Sequence, residues 1–91
     1  MDASEAEALL KREIDRLAAI EHERWAHWQR YMHGRGELKD DGSLVLPADL
    51  VRRWTKQIDT PFSDLDEAGK ESDREQVRHF IPTIADILTR S

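Results

Sequence analysis

The stretch Leu17-Ala18-Ala19-Ile20-Glu21-His22-Glu23-Arg24-Trp25 sets four apolar residues against five that are charged, histidine or tryptophan. Its reading decides the fold. Neither glycine nor proline interrupts the chain before Gly34, and Ser4 to Glu7 has the spacing of a capping box, so the spacing predicts one long helix over residues 5–33. Apolar residues recur at Leu10, Ile14, Leu17, Ala18, Trp25, Trp28 and Met32, at helical steps, with Leu9, Ala19 and Ile20 widening the stripe. Glu21 falls where the stripe requires an apolar side chain. The periodicity therefore turns Glu21 and Trp25 toward the core and spreads His22, Glu23 and Arg24 over the rest of the helix.

Beyond this helix the punctuation is clear. Gly34-Arg35-Gly36 ends it, Lys39-Asp40-Asp41-Gly42-Ser43 is turn chemistry, and Leu44-Val45-Leu46 reads as a short strand or a crossing loop. Pro47 suits the first turn of a second helix over 48–58, with Leu50, Val51, Trp54 and Ile58 as its buried face. Thr60-Pro61 stops it, and Phe62-Ser63-Asp64-Leu65 reads as a single turn. Asp66 or Ser63 then caps a last helix from about Glu67 to Thr89, with the stripe Val77, Phe80, Ile81, Ile84, Ile87 and Leu88. Pro82 inside it removes one backbone hydrogen bond and predicts a kink near 78–82. The expected architecture is all-α, a small three-helix bundle with long first and last helices and an irregular central crossing, built as one domain over 1–91.

Composition narrows the function. At 91 residues with 38% hydrophobic and 36% charged side chains, the chain reads as a small charged globular domain whose limited core gives its three tryptophans unusual weight. It has no cysteine, which removes disulfides, thiolate metal sites and cysteine nucleophiles. No apolar run reaches the roughly 18 residues of a membrane span, and the polar start is unlike a signal peptide, so a cytoplasmic protein without a membrane partner is expected. A net charge of −5 argues against a nucleic-acid partner, while locally clustered bases still allow a small anion.

Catalysis and metal binding find little support. His22 and His27 lie five apart, about 140° round a helix, and no HExxH is present, so no metal is expected. There is no nucleophile motif or glycine-rich phosphate loop, so neither enzyme activity nor a cofactor is expected. Trp25 and Trp28 fit the core or the wall of a pocket that stacks a ring-shaped ligand. Arg24, Arg30, Arg35, Arg52, Arg53 and Lys56 read as solvated surface. Asp73 and Arg74 border the last helix's buried face, from which Arg74 is placed to meet Glu21 in a half-buried ion pair clamping the two long helices.

Two segments carry a family resemblance. His22-Glu23-Arg24-Trp25 resembles the His-x-x-Trp signature in the first helix of RyR domains, the repeat first named from ryanodine receptor channels and also found as free-standing bacterial and phage proteins. Asp59-Thr60-Pro61-Phe62-Ser63-Asp64-Leu65 with Lys70-Glu71-Ser72-Asp73-Arg74 resembles that family's second half, where a proline and an aromatic lead through an acidic stretch to Lys-Glu-x-Asp-Arg. The matches span residues from about 17 to 88. The family's Gly-Trp-x-Tyr-Gly is replaced here by Tyr31-Met32-His33-Gly34-Arg35-Gly36, and Trp54 is positioned to substitute for the missing aromatic.

The resemblance implies a binding module rather than a catalyst. It points to a nucleotide-derived ligand, such as an adenine nucleotide, an ADP-ribose-like molecule or a cyclic nucleotide, and to a role in sequestering an immune signal. Glu21, His22, Arg24, Trp25, Trp28, Trp54, Asp73 and Arg74 are the expected ligand residues, the tryptophans stacking on a base and Arg24 and Arg74 meeting phosphate. The competing expectation is a protein–protein adaptor, or a homodimer or higher homo-oligomer, anchored by exposed aromatics.

Overall fold

A computed structural model describes residues 1–90 of the chain. Helices dominate it: α1 Ala3–Arg12, α2 Ile14–Arg35, α3 Ala48–Ile58, α4 Glu67–Arg78 and α5 Ile81–Thr89, with a two-stranded hairpin of β1 Glu37–Leu38 and β2 Leu44–Val45. The all-α expectation holds at this level.

Each of the two long helices expected from periodicity is divided. The first starts on Asp2 rather than Ser4, the Asp2 carboxylate accepting from the Glu5 N–H at 2.8 Å. It breaks at Glu13, where the ladder tightens: the Glu13 N–H donates to the Leu10 carbonyl at 3.1 Å, and the Arg16 N–H to that of Glu13 at 3.1 Å. The break lets α1 lie against α5 while α2 runs on, tied to α5 by the Arg16–Asp86 ion pair at 3.0 Å. In the second case Pro82 does more than kink the helix. Lacking an N–H, it sits in the first turn of the separate helix α5, where that donor is not needed, and His79-Phe80 form the junction.

The hairpin pairs Glu37 with Val45 and Leu38 with Leu44. Gly42 supplies its positive φ of 89°, and Asp41 accepts from the Ser43 N–H at 2.9 Å and hydroxyl at 2.6 Å. Leu44 packs onto Gly36, where a Cβ would stand 2.6 Å from Leu44 Cγ. After Pro47, α3 buries Leu50 to 2% exposure. Of its expected face only Leu50 and Trp54 are shielded, whereas Val51 is exposed and Ile58 is 81% exposed at the helix's C-terminal end. Asp66 caps α4 by accepting from the Gly69 N–H at 2.7 Å.

The elements are loosely assembled. Among the described residues only Leu50 and Ile87 are buried. The radius of gyration is 17.7 Å, with extents of 53 × 34 × 17 Å, whereas a compact chain of this length has about 12 Å. Instead of three helices closed round one core, α2 and α4 leave a groove between them, with α3 at one end. No described helix is long and apolar enough to cross a membrane.

Candidate functional site

Helical spacing places Arg24, His27, Trp28 and Tyr31 on one face of α2, since steps of three and four residues return to the same side. By the same rule α3 presents Arg53, Trp54 and Gln57, and α4 presents Ser72, Asp73 and Gln76. These three faces line a cleft of 730 Å³. It continues toward His79 as a second groove of 400 Å³ bordered by Ile20, Glu23 and Glu75.

The floor is aromatic. Trp28 meets Trp54 edge to face, centroids 5.3 Å apart and planes at 72°, and Trp28 lies 5.6 Å from Tyr31. Around it stand Arg24 and Arg53 as cations and Asp73 as the acid on the α4 wall. Arg53 has no hydrogen-bond or ion-pair partner among the described residues. Arg24 is partly satisfied. Its Nε donates to Glu21 Oε2 at 2.9 Å and its Nη2 to Glu21 Oε1, a two-point fork that holds the Glu21 carboxyl below and the Arg24 guanidinium above their ordinary pKa values.

Four of the eight expected ligand residues, Arg24, Trp28, Trp54 and Asp73, come together in this cleft. The other four do not. Glu21 is 51% exposed and pairs within its own helix, so the predicted interhelical clamp to Arg74 is absent. An arginine three residues along the same helix reaches the carboxylate without crossing any gap, and it outcompetes a distant partner. Arg74 instead bridges Glu67 at 3.4 Å and Glu71 at 3.5 Å, its guanidinium 5.8 Å over the Phe62 ring. Trp25 does not face the interior: it is 52% exposed, outside the cleft, with His22 stacked on it at 5.9 Å.

Sequence reasoning missed His27, Tyr31, Arg53, Gln57 and Gln76. The signal was present for Tyr31, one helical turn past Trp28, and for Arg53 beside Trp54. Arg53 reads in sequence only as solvated surface, and Tyr31 only as part of the segment that replaces the Gly-Trp-x-Tyr-Gly of RyR domains. Among the described residues no three histidine or carboxylate side chains converge on a metal position.

No protein-family model, curated protein or solved structure matches the chain.

Proposed function

We propose that this protein is a non-catalytic binding module for a nucleotide-derived ligand seated in the α2–α3–α4 cleft. The observation that carries the reading is the placement of an aromatic cluster, Trp28, Trp54 and Tyr31, beside two guanidiniums in one concavity of ligand size. A base stacks on the exposed aromatic faces. Arg53, without a competing acid, meets phosphate, and Arg24 adds a second charge if it turns from Glu21. Asp73 accepts from ribose hydroxyls or an exocyclic amine on the opposite wall.

The resemblance to RyR domains supports the same ligand class, an adenine nucleotide, an ADP-ribose-like molecule or a cyclic nucleotide, and extends to sequestration of an immune signal.

Isothermal titration against AMP, ADP, ADP-ribose and cyclic di- and trinucleotides tests the proposal. Saturable binding with a negative heat-capacity change is expected for at least one of them, because apolar ring surface is buried. Silence across the panel at millimolar ligand overturns it.

A further inference from the structure

The single chain exposes more surface than a folded monomer of its mass. Its accessible area is 7273 Å², while the scaling for compact monomers at 10.6 kDa gives roughly 5,500 Å². The excess of about 1,800 Å² per chain is more than twice the roughly 800 Å² each partner contributes to a standard interface. Doubled, it falls within the roughly 2,000–5,000 Å² of obligate homodimers. Among the described residues only Leu50 and Ile87 are buried, and the one partner always present in equal amount to cover such a chain is another copy.

One helix face is shaped for that copy. Ile14 and Trp25 lie eleven residues apart, three turns plus about 20°, so they mark the two ends of one stripe on α2. Both are more than half exposed and neither lines the cleft. Ala18, also exposed, lies between them and permits close approach of a second helix. The stripe faces away from α5, which is held by Arg16 about 200° round the helix from Ile14, and it runs beside Trp28, about 40° from Ile14 on the side of the cleft.

We infer that two copies pair through this stripe, with α2 against α2 of the second copy, antiparallel about a twofold axis near residues 19 and 20. In that register Ile14 of each copy meets Trp25 of the other, the self-complementarity that a twofold interface requires. Asp15 and His22 share one flank of the stripe, so the same register brings each acid toward the other copy's imidazole. Glu21, close to the axis, is already neutralised by Arg24 of its own helix, which removes the repulsion between the two carboxylates. Stripe and cleft share Arg24, which neutralises Glu21 at the one and lines the other, so the pairing rests on the Glu21–Arg24 fork staying intact.

Sedimentation equilibrium of the full chain is expected to give twice the 10.6 kDa chain mass, with Trp25→Ala weakening self-association at least tenfold. Because loss of Trp25 can also impair folding, a second variant uses the absence of native cysteine. Ala18→Cys under mild oxidation is expected to give a covalent dimer rapidly and nearly completely, and Ala8→Cys on α1 to stay largely uncrosslinked. A monomeric mass throughout the micromolar range, or equal crosslinking at positions 18 and 8, overturns the proposal.

Discussion

Trp28 and Trp54 meet edge to face with ring centroids 5.3 Å apart, and this one contact joins α2 to α3 while forming the floor of the cleft. On the proposed reading this residue pair serves both packing and recognition, and so links stability to binding.

Truncating either ring should therefore loosen the fold. Trp28 is 39% exposed, so Trp28→Ala is expected to cost about 2 kcal/mol rather than the roughly 3–5 kcal/mol of a fully buried tryptophan. A double-mutant cycle with Trp54→Ala, read from urea unfolding, should return a coupling of about 0.5–1.5 kcal/mol. Strict additivity would mean that the rings do not support one another.

The cleft and the expected motif make opposite predictions for two arginines. Arg53→Ala, which removes a free cation from the cleft, is expected to weaken a bound nucleotide by tenfold or more, about 1.4 kcal/mol. Arg74→Ala should leave affinity within about twofold, because that guanidinium is occupied by Glu67, Glu71 and Phe62 outside the cleft. Titration of both variants with the same ligand decides between them.

What was legible in the sequence follows from range. Helical periodicity correctly marked most of the chain as helix, and Gly34 and Pro61 marked real boundaries, whereas Pro82, read as a kink, marks the start of α5, and Trp28 and Arg24, read onto different faces, share the cleft. Interhelical geometry was not legible. Glu21 looked like an acid facing the core only because a bundle was assumed to close over α2, and in the open structure its nearest base is Arg24, three residues along the chain. β1 went unread since two residues carry no periodicity, and the break at Glu13 has no glycine or proline to announce it.

Gly36 is a position where one methyl group has consequences. Its missing side chain leaves room for Leu44, and a Cβ there would stand within 2.6 Å of Leu44 Cγ. Gly36→Ala is expected to destabilise the hairpin by about 1–3 kcal/mol. Hydrogen exchange should show it as faster exchange at Lys39 and neighbouring amides, while the α1–α5 contact is unaffected. Unchanged protection at Lys39 would contradict the packing.

Acid should loosen the tie between α2 and α5. Hydrogen bonding to Arg16, helped by the charge of Arg90, holds the Asp86 carboxyl below the ordinary aspartate range. A folded-state pKa depressed in this way contributes stability that is fully present above the unfolded-state pKa and is lost as pH falls through the folded-state value. Asp86→Asn should therefore lower the urea midpoint at neutral pH and bring it close to that of the parent protein in strong acid. A gap of constant size across that range would show that Asp86 acts by something other than charge.

Most direct for the central claim is the response of the three tryptophan indole N–H resonances to ligand, because Trp28 and Trp54 line the cleft and Trp25 does not. On addition of AMP, ADP-ribose or a cyclic dinucleotide, the account predicts that at least one of these shifts the Trp28 and Trp54 signals saturably and leaves Trp25 in place. No movement of Trp28 and Trp54 with any of the three, or movement of Trp25 alone, would contradict it.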